Sequence, residues 1–100
     1  MTDRLKGKVC LMTGGGRGLG KAIALAFAKE GAKAVAISYV SNKKYAEDTC
    51  KQLTELGTTA YMTPVEVTSR ESIKAWVNHV TDTEGPIDVL VNNAGINKQG

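Results

Sequence analysis

The chain has 100 residues, of which 42% are hydrophobic and 23% charged, and its formal net charge is +3. This length allows one small domain with a limited core. The lysines are dispersed, with no basic block beyond Lys43-Lys44, so no nucleic-acid partner is predicted. Apolar runs are far too short for a membrane span, and residues 1–6 lack the apolar segment of a signal peptide, so a cytoplasmic protein is predicted.

A glycine-rich segment follows the first predicted strand, residues 8–12. It reads Thr-Gly-Gly-Gly-Arg-Gly-Leu-Gly over residues 13–20 and leads into a helix predicted from about 18 to 30, with Gly31 as its cap. Glycines let the backbone turn tightly and approach a pyrophosphate, and the N–H groups of a helix N-terminus face negative charge. Strand, turn and helix in this order favour a dinucleotide site, although a purely structural turn would have the same local pattern.

Strands and helices alternate along the rest of the chain. The pattern predicts strands over residues 34–38, 60–67 and 87–91, and a helix over about 43–56 that Ser41 or Asn42 caps and Gly57 ends. Pro64 lacks an N–H donor, which suits a strand at the edge of a sheet. Alternation of this kind implies parallel strands with right-handed crossovers. The predicted fold class is therefore α/β, a doubly wound parallel sheet (Rossmann fold) of which βαβαβαβ is present.

A third helix is predicted after Thr68-Ser69-Arg70-Glu71, which has the spacing of a capping box. The helix places Ile73, Val77 and Val80 on one core-facing stripe, with Trp76 beside it as a packing residue, and Gly85-Pro86 ends it.

Cysteine and histidine positions do not indicate a metal site. Cys10 and Cys50 lie in no metal or redox spacing and are predicted to be packing residues. His79, the one histidine, is predicted to lie on a helix surface.

A second motif, Asp-Val-Leu-Val-Asn-Asn-Ala-Gly, occupies residues 88–95. With the glycine-rich segment, in this order and at this separation, it resembles the short-chain dehydrogenase/reductase family over nearly the whole chain. The resemblance implies an NAD(P)-binding domain over residues 1–100 and hydride transfer between nicotinamide and a small-molecule carbonyl or alcohol. The glycine segment with Arg17 is most similar to the 3-oxoacyl-(acyl-carrier-protein) reductase branch, which makes a 3-oxoacyl thioester one candidate substrate.

In a doubly wound sheet the ligand lies at the carboxyl ends of the strands, where strand order reverses. The candidate cofactor-binding residues at these ends are Gly14, Gly16, Arg17, Gly18, Leu19, Gly20, Ser38, Tyr39, Glu66, Val67, Asn93, Ala94 and Gly95.

The resemblance also implies individual roles. Glu66, where the family usually has Asp, bonds the adenine amino group, with the Val67 backbone beside it, and residues 93–95 line the ribose and nicotinamide. Thr13 braces the turn and Asn92 ties neighbouring strands together. Asp88 would help to hold the adenine pocket, whereas the residues alone indicate an exposed acid at the start of a strand.

NADP is predicted in preference to NAD. An NAD-selective site usually has Asp or Glu at the end of the second strand, a position that falls here at Ser38 or Tyr39. A carboxylate there would repel a 2′-phosphate, and Arg17 offers a planar fork that matches a phosphate. Lys43 and Lys44 would add positive charge, unless all three cations are merely solvated.

No catalytic residue is expected within these 100 residues, because the family's Ser and Tyr-x-x-x-Lys lie beyond Asn-Asn-Ala-Gly. Tyr39 and Lys43 match Tyr-x-x-x-Lys by spacing, but they follow the second strand on the adenosine side, so the match is interpreted as chance. The resemblance implies a further strand beside the fourth, which predicts an exposed apolar edge over residues 89–91.

We therefore expect the cofactor-binding part of a longer reductase that is a homo-oligomer at full length. A non-catalytic nucleotide-binding module or regulatory subunit is the alternative, and a fragment without function is a third.

Overall fold

The computed structural model describes residues 4–14, 18–65 and 69–92. Its elements, in chain order, are β1 (Val9–Thr13), α1 (Gly18–Lys29), β2 (Ala34–Tyr39), α2 (Lys43–Glu55), β3 (Thr59–Pro64), α3 (Arg70–Glu84) and β4 (Val89–Asn92). The strands form one parallel sheet in the order β3-β2-β1-β4. The chain starts near the middle of the sheet, moves outward through β2 and β3, and returns to add β4 on the other side of β1. The predicted α/β Rossmann fold is confirmed.

Each face of the sheet carries its own apolar core because helices cover both faces. Alternate strand residues point to opposite faces. The core on the face covered by α1 and α2 contains Cys10, Met12, Ala24, Ala28, Ala32, Val35, Ile37, Ala46 and Leu53. The core on the α3 face contains Val9, Leu11, Ala34, Ala36, Val65, Trp76 and Val80. Both faces of β1 are buried, which is why its sequence is apolar without alternation.

Trp76 lies at the centre of the buried side of α3 and is 3% exposed. Ile73 and Val77 are partly buried and pack against the same core. The predicted packing role of Trp76 is confirmed. Trp76 belongs to the buried stripe of α3, whereas the sequence placed it beside that stripe. His79 is exposed on α3, as predicted.

The N-terminus of α3 differs from the prediction. The N-cap is Ser69, whose side-chain oxygen accepts the Ser72 N–H at 3.2 Å. A capping box that starts at residue 68 is therefore wrong, because the helix begins one residue later and Ser72, not an acidic residue, occupies the third helical position. Thr68 itself lies outside the described residues.

Other boundaries shift by one to three residues. β1 and β4 begin at Val9 and Val89, one and two residues later than predicted, and β3 ends at Pro64 rather than at residue 67. Pro64 is at the end of an outer strand, as its missing N–H predicts, because among the described strands β3 pairs with β2 alone. Asn42 occupies the N-cap position of α2, but its side chain makes no capping hydrogen bond.

β4 is the opposite outer strand. It pairs with β1, and Leu90 on it is 60% exposed, whereas Val89 and Val91 pack against the core below α1. The predicted exposed apolar edge is thus confirmed at Leu90 only, because alternate side chains of β4 point to opposite faces.

The C-terminal end of α3 is attached to the sheet by a polar cluster. The Tyr61 hydroxyl donates to the Glu84 carboxylate, and the Lys33 ammonium lies 3.5 Å from the same carboxylate and donates to the Glu84 carbonyl at 3.1 Å. The hydrogen bond to Glu84 raises the pKa of Tyr61. These contacts hold α3 against β3 at the end of the helix far from Ser69.

Ser69→Ala removes the N-cap of α3 and is expected to lower the free energy of unfolding by about 1 kcal/mol, because a helix N–H loses its acceptor. Asn42→Ala is the matched control, since Asn42 occupies an N-cap position without a side-chain capping bond. We expect it to lower the free energy of unfolding by only about 0.3 kcal/mol. Urea unfolding followed by circular dichroism measures both. Equal losses would contradict this account of the cap.

Candidate functional site

The site lies where the strands end, at the carboxyl edge of the sheet. Thr13 and Asn92 are paired in register at the ends of β1 and β4, and the Thr13 hydroxyl donates to Asn92 Oδ1 at 3.0 Å. This bond is the tie between strands predicted for Asn92, and it fixes the backbone from which the glycine-rich turn leaves. β2 and β3 end at the same edge, at Tyr39 and Pro64.

The central part of the glycine-rich segment, residues 14–18, is called the glycine-rich turn. It begins and ends with glycines in the left-handed region of backbone conformation. Gly14 has φ of +71° and Gly18 has φ of +62°. Other residues rarely adopt this conformation, so both positions require glycine on local grounds. The Gly14 N–H donates to Ser38 Oγ at 3.1 Å, which connects the turn to the end of β2.

Helix α1 differs from α3 in the charge of its first turn. No acidic residue lies in its first turn, in contrast to α3, which has Glu71 there. The N-terminal N–H groups of a helix carry partial positive charge and attract anions. Gly20 is buried in this turn, whereas Leu19 is 61% exposed beside it. The first turn of α1 therefore favours a negative group, and its own residues supply none.

Lysines add positive charge at this edge, but one of them is already paired with a carboxylate of the protein. Lys21 Nζ lies 2.7 Å from Asp48 Oδ2 on α2, and this hydrogen bond lowers the pKa of Asp48. The Lys21 charge is thus balanced within the protein. Lys43 and Lys44 are exposed in the first turn of α2, where no acidic residue lies.

The end of β2 carries no carboxylate. Ser38 is 1% exposed, and Tyr39 is half-buried and packs against the core below α1. Tyr39 is the last residue of β2 and Lys43 the first of α2, so the Tyr-x-x-x-Lys spacing here spans a strand-to-helix connection. The next acidic residue, Glu47, is exposed on α2.

Asp88 lies away from the adenine pocket in which the resemblance placed it. Its carboxylate accepts the Val9 N–H at 2.9 Å, and its own N–H donates to the Val9 carbonyl at 2.9 Å. Val9 begins β1, so Asp88 lies at the amino edge, about 13 Å of strand away from the glycine-rich turn. A role for Asp88 in the adenine pocket is wrong; it joins the start of β4 to β1.

Cys10 lies next to Val9 in the buried middle of the sheet. Burial, and secondly the Asp88 carboxylate, raise its pKa to about 11. The thiol therefore stays protonated at neutral pH, in keeping with its predicted packing role. Burial also raises the pKa of Cys50, which packs against the same core.

The described part of the candidate set lies together at one edge: Gly14, Gly18, Leu19, Gly20, Ser38 and Tyr39. The remaining candidates lie outside the described residues; they are Gly16, Arg17, Glu66, Val67, Asn93, Ala94 and Gly95. The sequence interpretation missed the bond between Ser38 and Gly14. The available signal was a small hydroxyl residue at the end of a buried strand, next to a glycine-rich turn.

Comparison with known proteins identifies the family. The family model described as short chain dehydrogenase matches residues 8–100. The chain belongs to the short-chain dehydrogenase/reductase family. It is 41% identical over 93 residues to general stress protein 39 of Bacillus subtilis, covering 93% of this chain and 32% of the relative. It is 37% identical over 91 residues to 3-oxoacyl-(acyl-carrier-protein) reductase FabG of Staphylococcus aureus, covering 91% and 37%.

Relatives that differ in the share of their own length that aligns each match more than nine-tenths of this chain. The chain spans about a third of general stress protein 39, but it covers 83% of the short-chain dehydrogenase/reductase homolog YusS of Bacillus subtilis, with 35% identity over 91 residues and 91% of this chain aligned.

Solved structures share the fold and differ in the cofactor they hold. A short-chain dehydrogenase from Burkholderia cenocepacia in complex with NADP has a TM-score of 0.85 at 36% identity, over 89% of this chain and 36% of that one. An NAD⁺-bound xylitol dehydrogenase has a TM-score of 0.80 at 37% identity, over 87% of this chain and 33% of that one. Within the described part of the chain, no helix is long and apolar enough to cross a membrane.

A double-mutant cycle tests the tie between β1 and β4. Thr13→Val and Asn92→Ala remove the two ends of one hydrogen bond, so their effects on the free energy of unfolding should be coupled by about 1 kcal/mol. Thr13→Val combined with Asn78→Ala, on the exposed surface of α3, is the control and should be additive. Additivity of the first pair in urea unfolding would rule out the tie.

Proposed function

We propose that this chain forms the nucleotide-binding part of an NADP(H)-dependent oxidoreductase. The observation that carries the proposal is the end of β1. A turn with two left-handed glycines leads from a fully buried strand to a helix whose first turn lacks a carboxylate. A pyrophosphate matches this arrangement because it accepts backbone N–H bonds and carries the negative charge that the helix end attracts.

The residues at this edge divide the nucleotide between them in the proposal. Gly14, Gly18 and Gly20 allow the backbone to approach the pyrophosphate, and Leu19 offers exposed apolar surface beside it. The adenosine lies toward the ends of β2 and β3, near Tyr39, Glu66 and Val67. Asn93, Ala94 and Gly95 line the ribose and nicotinamide.

Preference for NADP over NAD rests on charge. No carboxylate stands at the end of β2 to repel a 2′-phosphate, and the charge of Lys21 is already balanced by Asp48. The phosphate is therefore recognised by Arg17, with Lys43 and Lys44 adding to the positive potential. Structural neighbours holding NADP support this choice, while the NAD⁺-bound neighbour shows that the fold accepts either cofactor.

The proposed reaction is hydride transfer between C4 of the nicotinamide and the carbon of a carbonyl or alcohol, with a proton moving to or from its oxygen. We assign no proton-transferring residue within residues 1–100; the chain's part is to bind and orient the cofactor. The relatives that include FabG make a 3-oxoacyl thioester one candidate substrate of the whole enzyme.

Arg17→Ala tests the cofactor choice. We expect the unsubstituted chain to bind NADPH more tightly than NADH in a fluorescence titration, and Arg17→Ala to weaken NADPH binding by about tenfold, leaving NADH binding nearly unchanged, because a charge-assisted bond to phosphate is lost. Arg4→Ala is the control, since that exposed arginine pairs with Glu30 far from the carboxyl edge.

Two outcomes would count against this proposal. Failure of the chain to bind either cofactor would remove the nucleotide-binding function. Equal loss of NADPH and NADH affinity in Arg17→Ala would keep that function but remove the assignment of Arg17 to the 2′-phosphate.

A further inference from the structure

Ser38 is buried at the point where the two central strands end. It is 1% exposed, and its hydroxyl oxygen accepts the Gly14 N–H at 3.1 Å, a contact between residues 24 apart in the chain. A side chain so completely enclosed has little surface to offer a bound nucleotide. Its contact is instead with the backbone of the glycine-rich turn.

The backbone of Ser38 is held firmly. β2 pairs with β1 on one side and with β3 on the other, where Ser38 is in register with Thr63. Serine has a single side-chain torsion to its oxygen, so a fixed backbone limits this acceptor to three staggered positions, and the structure has the one that faces Gly14. The hydroxyl therefore defines a direction toward which the Gly14 N–H must point.

Gly14 is where the chain leaves β1 for the turn. Its φ is +71°, in the left-handed region. Because glycine adopts many other backbone conformations about as readily, Gly14 gives the turn more conformational freedom than another residue would. A hydrogen bond from its N–H restricts that freedom before any ligand arrives. Restricting a loop in its bound conformation lowers the entropy lost on binding.

We propose that Ser38 is a positioning residue that sets the glycine-rich turn for a pyrophosphate by accepting the Gly14 N–H. The inference rests on the proposed nucleotide-binding function and assigns Ser38 a role behind the turn instead of a direct contact with the cofactor. A neutral hydroxyl holds the turn without adding negative charge at the end of β2. The turn is thus held in place while a 2′-phosphate is still tolerated nearby.

The test compares two ligands that differ in the pyrophosphate. NADP⁺ contains it together with the nicotinamide riboside beyond it, and adenosine 2′-monophosphate contains neither. In isothermal titration of the 100-residue chain, Ser38→Ala should weaken NADP⁺ binding by about tenfold, the size expected for one hydrogen bond, and leave adenosine 2′-monophosphate binding unchanged. Ser38→Thr, which keeps the hydroxyl, should restore NADP⁺ binding to within about threefold of the unsubstituted chain.

Thr58→Val is the matched control. Thr58 is also buried, and its hydroxyl donates to the Ala32 carbonyl at 3.4 Å, but it lies next to the start of β3 at the amino edge. The Thr58→Val variant should have a lower free energy of unfolding, measured in urea, and an unchanged affinity for NADP⁺. If Ser38→Ala does not fold, Ser38→Cys takes its place, because a thiol fills the space but accepts hydrogen bonds weakly.

Each other outcome overturns the proposal in a distinguishable way. Unchanged NADP⁺ affinity in the Ser38 variants removes the positioning role while leaving the nucleotide site intact. Equal loss of both ligands means that Ser38 contacts the adenosine part directly, and equal loss in Thr58→Val means a general effect of stability. No binding of NADP⁺ by the unsubstituted chain overturns the proposed function and this role with it.

Discussion

The burial of β1 between β2 and β4 is the constraint on which the rest of this structure depends. All five residues of β1 are buried, and the strand is in parallel register with a neighbour on each side. Strand order reverses at β1, since β2 and β3 lie on one side of it and β4 on the other. The connection that leaves β1 is therefore placed in the crevice where doubly wound sheets bind their ligands.

Two hydrogen bonds hold the chain where it leaves β1 at the carboxyl edge of the sheet. Thr13 holds the end of β1 to β4 through Asn92, and Gly14 is held to β2 through Ser38. The backbone at Thr13 and Gly14, where the turn begins, is thus held to both neighbours of β1. The first turn of α1 contains no acidic residue, and in the proposed function a phosphate supplies the negative charge that this helix end attracts.

Sequence reasoning succeeded where one physical signal dominated. Continuous apolar runs separated by amphipathic segments predicted a parallel sheet covered on both faces, and the structure has it. It failed where neighbouring residues offer the same chemistry: Thr68 and Ser69 are both good N-caps, and only the register of α3, set by burial of Trp76 and Val80, decides for Ser69. The bond between Ser38 and Gly14 depends on how β2 aligns with β1, which no local pattern contains. Asp88 shows the limit of transferring a role by resemblance, because its carboxylate lies at the amino edge.

The central claim is that a nucleotide binds at the carboxyl edge, and amide chemical shifts test its location most directly. NADPH is added to the ¹⁵N-labelled chain and the shift of each amide is followed. The account predicts the largest changes at Gly14, Gly18 and Leu19, with the amides of Lys33 and Asp88 at the amino edge unchanged. Changes concentrated at Lys33 and Asp88, or no change at the glycine-rich turn at saturating NADPH, would contradict it.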